Sequence, residues 1–75
     1  MERYKNLGGN SGVSAYEIGD DSIKVEFSDN ALYLYTYASA GSHNIEQMKN
    51  LALQGHGLNS FINTTVRKGY ASKLR

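Results

Sequence analysis

"IKVEFSDNALYLY", residues 23 to 35, decides the fold. Its first half alternates cleanly: Ile23, Val25 and Phe27 fall on one face of an extended chain, with Lys24 and Glu26 on the other, as a half-buried strand requires. Its second half alternates Leu32 and Leu34 with Tyr33 and Tyr35, so both faces are apolar and the pattern alone does not say which is buried. The turn between them supplies the missing information. A three-residue loop of Ser28, Asp29 and a left-handed Asn30 pairs Val25 with Tyr33 and Ile23 with Tyr35, which puts the tyrosines on the core face and leaves Leu32 and Leu34 outside. A two-residue loop of Asp29 and Asn30 shifts the register by one and sends the tyrosines to the outer face beside Lys24 and Glu26. Asn tolerates the left-handed conformation of the longer loop, whereas the shorter loop prefers Gly at its second position, and this favours the first register.

Upstream, "VSAYEI" (13 to 18) has strand character and "GDDS" (19 to 22) supplies turn residues, so three short strands form an antiparallel meander. Downstream the period changes. Ile45, Met48, Leu51 and Ala52 follow helical spacing, with Ser42 or Asn44 as N-cap, Gln47 as capping-box partner of Asn44, and Gly55 at the left-handed end. Leu58, Phe61, Ile62 and Val66 mark a second helix that should stop near Gly69. The expected architecture is α+β, a three-stranded antiparallel meander followed by two helices packed on one face. Residues 1–12, ending in "GGNSG", read as a flexible N-terminal tail anchored only by Tyr4 and Leu7. Residues 13–70 read as the single domain and 71–75 as a basic C-terminal tail.

A chain of 75 residues buries only about 60 % of its unfolded surface, and with no Cys it has neither disulfides nor Cys-based zinc sites to supplement the core. No segment approaches the ~20 apolar residues of a membrane span, and "MERYKNLGGN" lacks the apolar run of a signal peptide, so a cytoplasmic location without membrane association is expected. Charge is divided along the chain. Residues 1–46 carry all seven acids against three bases, a net of −4, whereas residues 47–75 carry five bases and no acid. Such asymmetry fits an anionic partner at the basic end, or mutual neutralisation of the two halves within the fold.

The order "SxVxAYEIGxD", "IxVxF", a turn with Asn30, "YLY", "MKxLAxxGxGLNxFI" and "VRKGY" resembles the KTSC domain, a short module named after the C-terminus of some lysyl-tRNA synthetases. The resemblance spans about residues 11 to 70, with its Tyr-x-Tyr mark on Tyr33 and Tyr35. The family has no settled activity, and RNA binding is what the synthetase association implies.

Chemistry is sparse. The only two His residues, His43 and His56, lie in no metal-ligand spacing and read as solvated, and Asp20 and Asp21 suit a polar turn better than a catalytic pair. No Ser, His and acid order suggests a nucleophile, so neither an enzyme nor a cofactor is expected. The remaining candidate is the basic end. Arg67, Lys68, Lys73 and Arg75 crowd the last nine residues around Tyr70, a mixture of phosphate contact and stacking that suits RNA or another anionic partner, with Lys49 as a further contact. Arg67 and Lys68 would equally serve as cations in the last turn of a helix. The alternative function is protein interaction or self-association as a homodimer through Leu32 and Leu34 on the open sheet face.

Overall fold

The computed structural model describes residues 1–7 and 12–75, so that most of the "GGNSG" segment lies outside the described residues. Five strands form one antiparallel sheet in sequence order: β1 (Glu2–Arg3), β2 (Val13–Ile18), β3 (Ser22–Phe27), β4 (Leu32–Thr36) and β5 (Ser72–Lys73). Between β4 and β5 run α1 (Tyr37–Ala40), α2 (Ser42–Gln54) and α3 (Leu58–Phe61), the last continued by a π-helical turn over Ile62–Val66. The α+β class and the central meander match the sequence reading; the two outer strands and α1 are additions to it.

The hairpin adopts the three-residue loop. Val25 pairs with Tyr33 and Ile23 with Tyr35, Asn30 is left-handed at φ +72°, and Phe27 N–H bonds the carbonyl of Ala31 at 2.8 Å. Asp29 Oδ1 accepts from Ala31 N–H at 3.1 Å, the local side-chain bond that favours Asp in such turns. Tyr35 is consequently in the core at 2 % exposure, in a row with Ile23, while Val25 brings Tyr33 to the margin of the same face. Leu32 and Leu34 do lie on the opposite face, but they are half-buried rather than exposed. β2 bulges where Ser14 and Ala15 together oppose Glu26, and this lets Val13 and Tyr16, three positions apart, both reach the core.

The helices fill the inner face. Ile45, Met48 and Ala52 of α2 are buried at i, i+3 and i+7, with Leu58, Ile62 and Val66 beside them. α2 ends as expected at left-handed Gly55 (φ +76°), whose N–H bonds the carbonyls of Leu51 and Ala52. Its start differs. The N-cap is Gly41 without a side-chain bond, so neither Ser42 nor Asn44 caps the helix; the Asn44 amide instead donates to Ala40 carbonyl at 2.8 Å. The capping box falls earlier, at Thr36 and Ser39, and turns the chain out of β4 before Tyr37 could extend the strand.

The second helix also departs from a regular α-helix. Thr64 Oγ1 donates to Ser60 carbonyl at 2.8 Å and Arg67 N–H reaches back five residues to Ile62 at 2.6 Å, so a β-branched run, Thr64 to Val66, widens the turn. The helix stops at Val66, not near Gly69, because Arg67 takes φ +37°.

Both chain ends join the sheet instead of hanging as tails. Tyr4 is 4 % exposed and its hydroxyl accepts from Leu58 N–H at 3.2 Å, and Leu7 N–H bonds Gly55 carbonyl at 2.7 Å although its side chain stays outside. β5 lies beside β4, with Leu74 N–H bonded to Leu32 carbonyl at 2.7 Å.

Candidate functional site

A cleft of about 390 Å³ opens between the β3–β4 turn and the π-helical turn. Phe27, Tyr33, Tyr35 and Ile62 form its apolar walls, Tyr70 closes against them, and Ser28, Asp29, Asn63 and Arg67 supply polar groups. Each arrives by a local rule. The hairpin register aims Phe27, Tyr33 and Tyr35 at one face, and the widened helix end delivers Ile62 on the inside and Arg67 at its strained terminus. A left-handed backbone at a non-Gly residue is uncommon and concentrates at functional sites, as do π-helical turns. Here the two coincide on one wall of one cleft.

The rings are interlocked. Tyr70 stands edge-on to Tyr33 at 4.8 Å between centroids and to Tyr35 at 6.3 Å, and Phe27 meets Tyr33 edge-on at 5.6 Å. Such pairs add about 0.5–1.5 kcal/mol each beyond the area they bury. Burial, reinforced by the neighbouring Tyr33 and Tyr70 phenols, pushes the Tyr35 hydroxyl up to about 12, so it remains a neutral hydrogen-bonding group throughout the physiological range.

The basic residues separate into two groups. Arg67 lines the cleft, and Lys73 pairs with Tyr33 across the β4–β5 ladder, its Nζ 5.9 Å from that ring's centroid. Lys68 is exposed on the loop that follows Arg67. None of the three forms an ion pair among the described residues. Arg75, in contrast, is held by Glu26 and donates to Asn30 carbonyl at 3.3 Å. Lys49 lies 2.9 Å from Glu46 and donates to Asp20 carbonyl at 2.9 Å. Tyr37 donates to the same Glu46 carboxylate at 2.6 Å, and these two hydrogen bonds hold Glu46 below its usual range. Both readings of the charge asymmetry are therefore partly realised: two C-terminal bases are neutralised by the acidic half and three are left facing out.

No family model, curated protein or solved structure matches the chain. The site must speak through its own chemistry. Of the residues singled out from the sequence, Arg67 and Tyr70 line the cleft and Lys73 lies over the ring of Tyr33, which also lines it, while Lys49 and Arg75 belong to structural ion pairs. Leu32 and Leu34 lie on the other face of the sheet, away from these rings. Phe27, Asp29, Ile62 and Asn63 were not recognisable beforehand, and the only sequence signal pointing to them was the left-handed Asn30 that brings the turn over the tyrosines. His43 and His56 are exposed, and among the described residues no group of three acidic or His side chains could hold a metal ion. No helix of the described residues is long and apolar enough to cross a membrane.

Proposed function

We propose that this protein is a cytoplasmic, non-enzymatic module that binds short stretches of unpaired RNA, stacking on the tyrosine cleft and contacting phosphates through Arg67, Lys68 and Lys73. The observation that carries the reading is the guanidinium of Arg67 on a cleft walled by aromatic rings, with Lys73 over the Tyr33 ring and Lys68 exposed next to Arg67, none of the three in an ion pair among the described residues. Unpaired bases expose π-faces, and proteins that bind single strands combine such rings with a cationic rim. The resemblance to the KTSC domain, and through it to a synthetase-associated module, supports the same direction, and we extend the proposal to membership of that family.

Arg75 and Lys49 drop from the contact set, because binding phosphate would require breaking their bonds to Glu26 and Glu46. The half-burial of Leu32 and Leu34 leaves less apolar surface for self-association than an open sheet face would. Fluorescence anisotropy of an end-labelled, unstructured RNA in about 50 mM salt tests the proposal. Replacing Arg67, Lys68 and Lys73 together by Gln should weaken binding at least about tenfold and lower the salt slope by about 2, since each phosphate contact to a single strand releases about 0.7 counterion. Absence of binding at that salt, or binding indifferent to the triple change, would refute it.

A further inference from the structure

The polar lining of the cleft carries information that phosphate binding leaves unused. It contains one carboxylate, Asp29, and one guanidinium, Arg67, and no ion pair joins them. Asp29 spends Oδ1 on the N–H of Ala31, and Oδ2 has no protein partner among the described residues. Arg67 is fixed through its backbone, with its N–H on Ile62 carbonyl at 2.6 Å, so its strained conformation is maintained by the π-helical turn and not by a side-chain contact. An acceptor-only group and a donor-only group therefore share an aromatic slot whose volume, about 390 Å³, lies at the small end of ligand pockets.

We infer that the slot receives a single unpaired base and prefers guanine. The inference rests on the proposed binding of unpaired RNA and adds to it the identity of the recognised base. Guanine presents two adjacent donors, N1–H and the N2 amino group, which a carboxylate accepts, together with O6 and N7, which a guanidinium fork satisfies. Uracil presents a single N–H between two carbonyl oxygens, so a carboxylate there meets lone pairs on both sides. Adenine and cytosine offer one amino group each and rank between. Tyr33, Tyr70 and Phe27 provide the stacking surface common to all four bases, and the neutral Tyr35 hydroxyl provides one further hydrogen bond.

Three end-labelled RNAs decide the matter by anisotropy in about 50 mM salt: a short oligouridylate with one central guanosine, the same oligomer with uridine throughout, and the same with an abasic site at the centre. The guanosine oligomer should bind about tenfold tighter than either of the others, in keeping with the discrimination of one well-satisfied base contact. Asp29→Asn preserves an acceptor for Ala31 N–H while replacing half of the carboxylate by a donor; it should reduce that preference to less than about threefold and leave the melting temperature nearly unchanged. Equal binding of all three RNAs would overturn the base slot while leaving phosphate-driven binding in place. Equal binding of the guanosine and uridine oligomers, with the abasic one weaker, would overturn the guanine preference specifically. Failure of every oligomer to bind would remove the RNA reading and this inference together.

Discussion

Two depressions among the described residues are similar in size, and their walls differ in kind. The tyrosine cleft measures about 390 Å³; a second groove of about 430 Å³ is lined by Met1, Glu2, Tyr16, Glu17, Ile18 and Leu53. In the second, Met1, Ile18 and Leu53 are exposed aliphatic chains, the charged groups are acidic, and Glu17 is 3.8 Å from Lys24. Its residues are the surplus of a core that a chain this short does not close. In the first, the rings pack on one another, Arg67 forms no ion pair among the described residues, and its backbone is held at positive φ. Volume does not distinguish the two. What distinguishes them is that one sets a carboxylate, Asp29, and a guanidinium, Arg67, in no ion pair among the described residues, beside packed aromatic rings, a combination suited to recognition.

The largest effect that would break this comparison lies at Tyr35. Truncation to Ala removes a buried ring from both the core and the cleft wall and should cost on the order of 3 kcal/mol, enough in a domain this small to threaten folding outright. Leu34→Ala on the opposite, half-buried face should cost about 1 kcal/mol. Urea denaturation of the two variants compares them directly, and the reverse ranking would contradict the hairpin register described above.

Gly55→Ala tests the other depression. The backbone there is left-handed, and an added Cβ would come within 2.5 Å of Lys5 Cβ, so the N-terminal segment that contributes Met1 and Glu2 to the second groove must move. A loss of about 1–2 kcal/mol is expected, with RNA affinity per folded molecule preserved. Impaired binding by correctly folded protein would show that the two regions are less separate than their walls suggest.

A further effect appears at high pH. The Tyr35 hydroxyl ionises near 10 when unfolded and at about 12 when folded. A raised folded value means that its contribution is fully present below pH 10 and is lost as pH rises from 10 to about 12. Absorbance titration near 295 nm should show Tyr35 among the last of the six tyrosines to ionise, and Tyr35→Phe should remove that late step. The smallest effect is reserved for Leu53→Ser in the exposed groove, where stability should change by less than about 0.5 kcal/mol and RNA binding not at all.

The sequence was most legible where one residue governs a whole element. Asn30 discloses the hairpin register because few residues accept its backbone conformation, and Gly55 discloses the end of α2 for the same reason. It was least legible where structure depends on partners distant in the chain. β1 and β5 are two-residue strands with no alternation of their own, and each exists because a longer neighbour offers it a ladder. The bulge in β2 conceals the relation of Val13 to Tyr16 by making the inward period three instead of two. Thr36 and Ser39 form a capping box without the usual Glu or Gln, behind a tyrosine that reads as more strand. In the site, Arg67 and Tyr70 stand out by composition. Phe27, Asp29 and Asn63 do not, because only the approach of the π-helical turn to the hairpin brings them together.

The hydrogen bond from Leu58 N–H to the Tyr4 hydroxyl spans 54 positions of sequence. The meander between Val13 and Thr36 closes through short turns, whereas this contact joins remote parts of the chain and must overcome a larger loop-closure entropy. Both of its groups are buried, Tyr4 at 4 % and Leu58 at 0 % exposure, so breaking it requires the N-terminal segment to leave the core. Once released, α3 loses the partner of its first amide, and the same helix continues through Ile62 to Arg67 in the wall of the tyrosine cleft. The N-terminal segment thus ties the start of this helix to the sheet, and amide exchange at Leu58 would record how often that tie opens.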